Sequence, residues 1–306
     1  MKDFLNAISL LPDDLKIILK KIPPEYAGKI NEIRFRADSP IILNTPDTAY
    51  FLKIDGMPDC VCNNSVVYCD ERKLQEIVFS LSRRSIHTYQ DMIAKGFIPL
   101  QGGCKAGVVG CAVIRNGSVY SVSSFNSVNI RVSREYNGCS DGVYNSVGKD
   151  CTSFLLVGQP LSGKTTVLRD LCRKYSDMNN GVSRKVAVID ERDEIASRAF
   201  GKGADLGTQT DVLSLYPKAV GADIALRTLS PDIIMLDEIG ADDEINVLLS
   251  SMNSGVNVIA TAHGSGYSEV IKRPNIKRLV DAGVFKKVVV LEGKNAPCTV
   301  KEVISV

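Results

Sequence analysis

The residues best suited to chemistry form a glycine-rich segment near the middle of the chain. Gly158 to Thr165 read GQPLSGKT, which fits the pattern G-x-x-x-x-G-K-[ST]. In this pattern the glycines let the backbone fold around a phosphate chain, and the N–H groups at the start of the following helix point at it. The Lys164 ammonium would neutralise the β- and γ-phosphates, and the Thr165 hydroxyl would ligate Mg²⁺. The segment therefore predicts a phosphate-binding loop for a nucleoside triphosphate.

The residues on either side of this loop have the order that nucleotide binding requires. The apolar run 154–157 predicts a buried strand before the loop, and Val167, Leu168 and Leu171 predict an amphipathic helix after it. A glycine-rich turn with a purely structural role is the alternative interpretation, which this context disfavours. The predicted nucleotide contacts within the loop are Gly158, Gln159, Pro160, Leu161, Ser162, Gly163, Lys164, Thr165 and Thr166.

Three further apolar runs predict buried strands of a parallel sheet in the second half of the chain. Each run is short and unbroken, which is typical of strands that helices cover on both faces. Because ligands of such sheets bind at the carboxyl ends of the strands, we expect the residues that follow the runs to converge on the phosphates. The runs are 185–189, 233–236 and 256–260.

Asp237 and Glu238 directly follow the second of these runs. Beside a phosphate loop, such a pair supplies one carboxylate for Mg²⁺ and one that polarises the attacking water. Asp237 would therefore hold the metal ion together with Thr165, and Glu238 would be the general base. An acidic pair in a solvated turn is the alternative, which the upstream phosphate loop disfavours.

Two other run ends supply candidates for the same site. The segment 190–194 carries four acids, and Glu191 within it is the rival general base. Such crowding is costly unless a cation or a water network uses the carboxylates, and an exposed acidic loop is the alternative. His263 follows the third run and is a candidate sensor of the γ-phosphate, although a lone histidine is usually a satisfied polar residue. The predicted catalytic residues are Lys164, Glu191, Glu238 and His263.

The composition of the 306-residue chain fits two domains, because 44% of its residues are hydrophobic and can form a core in each. A net charge of +2 argues against a dedicated polyanion binder. Acids interrupt the first residues before a signal-like core forms, and no apolar run approaches the length of a membrane span. Nine cysteines without a C-x-x-C pair indicate reduced thiols, and we expect a soluble, cytoplasmic protein. The alternative for some of these cysteines is a zinc site of Cys60, Cys62, Cys69 and His87.

The first part of the chain predicts a smaller α+β domain, residues 1–134. Its clearest element is a β-hairpin over 108–123, in which Asn116 and Gly117 form a type I′ turn signal. A stretch rich in Gly, Ser and Asn, residues 137–149, marks the predicted start of a doubly wound α/β domain, residues 135–306. The other elements predicted for the first domain are two short helices within 3–21, strands at 30–35, 41–44 and 128–132, and helices at 71–82 and 88–96.

The order of these motifs resembles that of the ATPases of type II and type IV secretion systems. Within that superfamily, the chain is most similar to the stage III sporulation protein AA family of endospore-forming bacteria. The similarity extends over almost all of the chain, and its motifs are more specific than the phosphate loop alone. The segments that carry it are EIRFR at 32–36, NIRVSRE at 129–135, GKTTVLRDL at 163–171, VIDERDEIA at 188–196 and TDVLSLYPKAVGADIALRTLSPDIIMLDEIG at 210–240.

The resemblance implies a RecA-like P-loop ATPase domain, mainly a parallel sheet with helices on both faces, preceded by the α+β domain. It implies Mg²⁺-dependent ATP hydrolysis by a homo-oligomer, a hexameric ring. It also implies membrane-embedded partners that belong to a secretion-like channel complex between mother cell and forespore. The chain would then act in the mother-cell cytoplasm and associate with the membrane through those partners.

An arginine from a neighbouring subunit commonly stabilises the charge that develops on a γ-phosphate during transfer. Arg131 and Arg134, at the end of the first domain, are predicted to contact a neighbour's nucleotide in a head-to-tail ring. Arg34 and Arg36, at the end of an early strand, are further candidates. The alternative is that these arginines pair only with acids of their own domain.

Two other functions compete with the motor hypothesis. A nucleotide-dependent nucleic-acid-binding ATPase is one, but the weak positive charge and the lack of an appended basic or aromatic module argue against stable nucleic-acid binding. The other is an adaptor that binds nucleotide without hydrolysing it, against which Glu238 and Glu191 argue. Multiple-turnover phosphate release would exclude the adaptor.

Overall fold

The computed structural model of the chain describes residues 1–148, 151–178, 183–198 and 203–306. It consists of two compact units, of which the first is chiefly Met1–Arg134 and the second is Glu135–Ala199 and Ala204–Val306 within the described ranges. Each unit has its own seven-stranded sheet. The two units therefore have separate cores, and each is described by itself.

The first unit combines short helices with an antiparallel sheet of strand order β5-β4-β3-β1-β9-β8-β7. A separate two-stranded sheet pairs β2 with β6. The helices are α1 Lys2–Ile8, α2 Asp13–Leu19, α3 Pro24–Ala27, α4 Glu71–Leu81 and α5 Gln90–Ala94, with 3₁₀ turns at His87–Tyr89 and Gln101–Gly103. The strands are β1 Glu32–Arg36, β2 Ser39–Pro40, β3 Ile42–Asn44, β4 Ala49–Leu52, β5 Pro58–Asp59, β6 Tyr68–Cys69, β7 Phe97–Pro99, β8 Lys105–Arg115 and β9 Ser118–Arg131.

The predicted hairpin is confirmed, because β8 and β9 pair and both turn residues, Asn116 and Gly117, have positive φ angles. The prediction of a separate strand at 128–132 is wrong, since these residues continue β9. Ser124 has a φ of 46°, and the register shifts near Gly110. A bulge of this kind disturbs the alternation of side chains without ending the strand, which explains why the pattern suggested two strands.

The second unit has a sheet of strand order β12-β11-β13-β14-β10-β15-β16. All neighbouring strands are parallel except β15 and β16, which are antiparallel. The strands are β10 Phe154–Gly158, β11 Val186–Asp190, β12 Thr210–Ser214, β13 Ile233–Leu236, β14 Asn257–His263, β15 Lys287–Leu291 and β16 Val300–Ser305. The helices are α6 Asp141–Val147, α7 Lys164–Ser176, α8 Lys218–Thr228, α9 Asp242–Asn253, α10 Tyr267–Val270 and α11 Pro274–Asp281.

Side chains of β10 alternate between two apolar cores on opposite faces of this sheet. Phe154 and Leu156 pack with the core that contains Leu168 of α7, whereas Leu155 and Val157 pack with the core on the other face. That second core receives apolar side chains from α8, α9 and α11. The predicted parallel sheet with helices on both faces is therefore confirmed.

Four strands of the second unit were expected, and three others were missed. The four predicted apolar runs form β10, β11, β13 and β14, and β14 continues to His263 instead of ending before it. The strands β12, β15 and β16 were not predicted, although β15 has the same buried apolar pattern as the others. Within the stretch 137–149, the buried side chains of Val143 and Val147 support helix α6, so this part of the predicted linker is ordered.

Packing at the end of this sheet can be tested with one pair of valines. Val289 of β15 lies opposite Val303 of β16, but Val289 is fully buried and Val303 is 37% exposed. We expect Val289→Ala to lower the free energy of unfolding by about 1 to 3 kcal/mol, because it removes buried methyl groups and leaves a cavity. Val303→Ala is the matched control and should cost less than about 0.5 kcal/mol. Equal shifts in urea denaturation would contradict the burial described here.

Candidate functional site

The phosphate-loop segment connects β10 to α7 and contains two glycines that no other residue could replace without collision. A Cβ atom on Gly158 would lie 2.3 Å from Ser162 Oγ, and one on Gly163 would lie 2.5 Å from Cys298 Sγ. Gly163 also has a φ of 89°, and Leu161 has a φ of 65°. Among the described residues, the buried Ser162 hydroxyl has no hydrogen-bond partner. The loop is thus a tight cradle at the N-terminus of a 13-residue helix, which fits an anion such as a phosphate chain.

Lys164, the first residue of α7, directs its ammonium back over the loop. Its Nζ donates to the carbonyls of Gly158 and Gln159, at 2.8 and 3.1 Å, and lies 3.2 Å from Nδ1 of His263. Burial lowers the pKa of Lys164 below its usual value, and the carboxylates of Asp237 and Glu238 act in the opposite direction. A phosphate group beside this ammonium would favour its charged form in the same way as the two carboxylates.

Asp237 joins the phosphate loop to the acidic strand end. Its Oδ2 accepts a hydrogen bond of 2.7 Å from the Thr165 hydroxyl, and its Oδ1 accepts one from the Thr261 hydroxyl. One carboxylate and one hydroxyl are the protein ligands that Mg²⁺ needs when phosphate oxygens and water complete its octahedral shell. Thr165 and Asp237 are therefore close enough to hold Mg²⁺ between them, as the sequence predicts.

Glu238 lies between the acidic strand end and His263. The Glu238 carboxylate is 3.3 Å from His263 Nε2 and 3.4 Å from Arg192 Nη1. Because the Lys164 ammonium donates to Nδ1 of His263, the neutral imidazole has its proton on Nε2, the nitrogen that faces Glu238. His263 therefore bridges Lys164 and Glu238, and the structure brings these three predicted site residues together.

The acidic segment 190–194 contains carboxylates with different surroundings. Asp190 is buried and accepts from the backbone N–H groups of Glu194, Ile195 and Ala196, at 2.8, 3.0 and 2.7 Å. Asp193, which has a φ of 52°, accepts from the backbone N–H of residue 198. These two acids order their own loop, so the expectation that crowding requires a cation or a water network does not apply to them. Glu191 is the partly exposed member and lies 3.6 Å from Lys218 Nζ.

An open cleft of about 820 Å³ contains most of these groups, which come from the phosphate loop and from the ends of β11, β13 and β14. A smaller, partly open cavity adjoins it and contains Glu191. The residues that line the larger cleft are Pro160, Leu161, Gly163, Lys164, Thr165, Thr166, Arg192, Glu194, Asp237, Glu238 and His263. This cleft has the place and the polarity for a nucleoside triphosphate.

The arginines predicted to act on a neighbouring subunit lie in the first unit. Arg134 donates from both terminal nitrogens to backbone carbonyls, those of Gly28 and of Ile30, the latter at 2.8 Å. Arg131 is exposed at the end of β9. Arg34 pairs with Glu32 at 3.5 Å within the same sheet. Arg134 therefore has a structural role in its own unit, whereas the Arg131 side chain is accessible.

Three residues at the site were not singled out from the sequence. Thr261 is a fully buried hydroxyl within β14, Arg192 contacts Glu238, and Lys218 contacts Glu191. The sequence contained two signals for them. Thr261 is a polar residue in an apolar strand, and Lys218 directly follows Pro217 at a helix start. Their partners are 20 to 46 residues away along the chain, so the contacts themselves could not be derived from spacing.

The described residues contain no group of three or more His, Cys, Asp or Glu side chains arranged to bind a metal ion, so the zinc alternative gains no support. Cys60 and Cys62 are exposed and Cys69 is buried. In the same part of the chain, none of the helices is both long enough and apolar enough to cross a bilayer.

The fold of this chain is similar to that of solved ATPases. The structure is similar to the ATPase DotB of Legionella pneumophila, with a TM-score of 0.58 and 16% identity, over 92% of this chain and 76% of DotB. It is also similar to the pilus retraction motor PilT with bound ADP, with a TM-score of 0.55 and 15% identity, over 85% of this chain and 74% of PilT. The predicted fold class is confirmed by these similarities.

Sequence comparison shows the family of the chain. The family model described as sporulation stage III, protein AA matches residues 4–305. Stage III sporulation protein AA of Bacillus subtilis (strain 168) is 31% identical over 303 residues, which cover 98% of this chain and 94% of that protein. The chain belongs to the stage III sporulation protein AA family.

The geometry of the phosphate loop can be tested with two glycines that both have positive φ angles. We expect Gly163→Ala to lower affinity for a fluorescent ADP analogue at least about tenfold, because the new Cβ would collide with Cys298 and displace the helix start that contacts phosphate. Gly255, with a φ of 68° and open space around its Cα, is the control. Gly255→Ala should cost about 1 to 2 kcal/mol of stability without changing affinity. Unchanged affinity of the Gly163→Ala protein would contradict the cradle.

Proposed function

We propose that this protein is a Mg²⁺-dependent ATPase that serves as a motor in sporulation. It would power assembly of, or transport through, a channel complex between mother cell and forespore. The observation that carries the ATPase proposal is a continuous series of polar contacts. It begins and ends in the phosphate loop and passes through two strand ends. The residues of this series, in the order of their contacts, are Lys164, His263, Glu238, Thr261, Asp237 and Thr165.

The residues of the loop bind and orient the triphosphate in this proposal. Backbone N–H groups at the start of α7 hold the phosphates, and the Lys164 ammonium moves from its carbonyl partners to the β- and γ-phosphate oxygens. Thr165 and Asp237 hold Mg²⁺, which when bound neutralises charge on those oxygens. The predicted nucleotide contacts from Gly158 to Thr166 all belong to this part of the site.

Glu238 acts as the general base in the proposal. Its carboxylate accepts a proton from a water molecule whose oxygen attacks the γ-phosphorus, and ADP is the leaving group. His263 keeps the Glu238 carboxylate in place with one ring nitrogen and reports on Lys164 with the other, since both contacts are within 3.3 Å. In the proposal, His263 can act as a γ-phosphate sensor. When the Lys164 ammonium moves to the phosphates, His263 transmits the change directly to Glu238, the general base.

We expect Glu238→Gln to separate binding from chemistry. Glutamine retains the size and hydrogen bonding of glutamate but cannot accept the proton, so ATP and Mg²⁺ should still bind while turnover falls about 10²- to 10⁴-fold. Phosphate release and binding of a non-hydrolysable ATP analogue measure the two effects. Glu302→Gln, on the exposed strand β16, is the control and should retain full turnover. If Glu191→Gln abolishes turnover while Glu238→Gln barely changes it, the roles of the two acids must be exchanged.

We further propose that the two units are the two domains of a subunit in a head-to-tail homo-oligomeric ring, by analogy with the hexameric secretion ATPases. Arg131 is the better candidate for an arginine that reaches a neighbour's nucleotide, because Arg134 is engaged by two backbone carbonyls of its own unit. Arg192 offers a second cation from within the subunit, at 3.4 Å from Glu238. The ring would act from the mother-cell cytoplasm and contact the membrane through membrane-embedded channel components.

Assembly has a distinctive kinetic consequence. A site completed by a neighbour requires turnover per chain to rise with protein concentration. Mixing Lys164→Ala chains with Arg131→Ala chains should restore part of the activity, because mixed rings contain some sites with both residues intact. Arg131→Ala chains mixed with the Lys164→Ala/Arg131→Ala double variant are the control and should show no rescue. Concentration-independent turnover by a chain that sedimentation shows to be monomeric would rule out the ring.

A further inference from the structure

We infer that Lys218 is a positioning residue that holds both candidate general bases, Glu238 and Glu191, at the carboxyl edge of the sheet. The inference rests on the proposed ATPase function and deepens it. Lys218 is the first residue of α8 and lines the smaller cavity together with Asp190, Glu191, Asp237 and Glu238.

The Lys218 ammonium joins three segments that are far apart in the sequence. Its Nζ donates to the backbone carbonyl of Glu238 at 2.7 Å, lies 3.3 Å from Glu244 Oε1, and lies 3.6 Å from Glu191 Oε2. Glu191 follows β11, Glu238 follows β13, and Glu244 is in the first turn of α9. One side chain therefore connects both candidate bases to the start of a helix.

A lysine at this position would be energetically unfavourable if its ammonium lacked these partners. A cation in the first turn of a helix opposes the helix dipole, and a lysine that is only 10% exposed requires paired charges. Asp190 and Asp237 line the same cavity as Lys218. The carboxylates of Glu191 and Glu244 and the carbonyl of Glu238 supply the compensation that the ammonium needs.

The backbone of Glu238 explains why a positioning group is needed there. Glu238 has a φ of 52°, in the left-handed region that a non-glycine residue adopts only when its surroundings impose it. Its N–H donates to Thr261 Oγ1 at 2.8 Å, and its carbonyl accepts from Lys218. The strained residue is thus fixed on both sides, and loss of the Lys218 contact would allow the peptide to relax and the carboxylate to leave His263.

Glu244 holds the Lys218 ammonium in a fixed position. The second oxygen of Glu244, Oε2, accepts from the backbone N–H groups of Gly240 and Ala241, at 2.8 and 3.1 Å, and so fixes this side chain to the start of α9. Lys218 also pairs its positive charge with the carboxylates of Glu191 and Glu244, and so draws the end of β11 towards the start of α9. Both effects serve the chemical step and not nucleotide binding.

Lys218→Met tests this inference, because methionine preserves the length and apolar stem but removes the charge and the donors. We expect kcat to fall at least about tenfold, while KM and affinity for a non-hydrolysable ATP analogue change less than about threefold. Lys287→Met is the matched control, because the Lys287 ammonium also donates to backbone carbonyls, those of Ser146 and Val147, at 2.9 and 3.4 Å. That variant should retain wild-type turnover.

A second variant and a double-mutant cycle complete the test. Lys218→Gln, which keeps a donor without the charge, should show a smaller loss of kcat than Lys218→Met, and it replaces that variant if the methionine protein does not fold. In a Glu191→Gln or a Glu238→Gln background, the effect of removing Lys218 should shrink in at least one case to less than about threefold. Wild-type kcat in a folded Lys218 variant, equal losses in kcat and affinity, or an undiminished effect in both backgrounds would overturn the inference. Absence of phosphate release by the wild-type chain would instead overturn the proposed function, and the inference with it.

Discussion

Parallel pairing of β10, β14 and β13 determines where Lys164, Glu238 and His263 lie. The ladder places Gly158 opposite His263 and Leu236 opposite Ala260, so the phosphate loop, the histidine and the acidic pair begin at the same edge of the sheet. Since β14 lies between the other two strands, His263 can contact both neighbours at once. A shift of one residue in this register would reverse the faces of β14 and remove the histidine from both of its partners.

This arrangement requires strained backbone conformations at several residues. Leu161, Asp193 and Glu238 all adopt positive φ angles, although none of them is a glycine. Each lies directly after a strand of the parallel sheet or in the segment that follows, where the chain must turn sharply to leave the edge. Hydrogen bonds from Thr261 and Lys218 compensate for the strain at Glu238, and the side chain of Asp190 compensates for the acidic segment by accepting from three consecutive N–H groups.

The sequence was informative where chemistry is local and uninformative where contacts are long-range. The phosphate loop and the four apolar strands could be predicted because glycine spacing and unbroken apolar runs report directly on backbone geometry. The acidic pair could be predicted from its position after a strand. Lys218, Arg192 and Thr261 could not, because their partners are determined by which strand ends are neighbours, and three of the six neighbouring pairs in the described sheet are not consecutive in the chain. Equally, nothing in the segment 190–194 distinguishes the buried Asp190 from the accessible Glu191.

The strand order also constrains how the chain acquires its shape during synthesis. The strand β10, which precedes the phosphate loop, is the first of its sheet to be synthesised, yet its two neighbours, β14 and β15, begin about 100 and about 130 residues later. In the same way, β1 of the first unit pairs with β9, so the centre of that sheet closes only when Arg131 has been made. Pairing over such separations is slow, and one edge of β10 stays unpaired until β15 has left the ribosome. A chain released before that point would carry the complete glycine-rich loop without the pairing that holds β10, the strand before the loop, in the sheet.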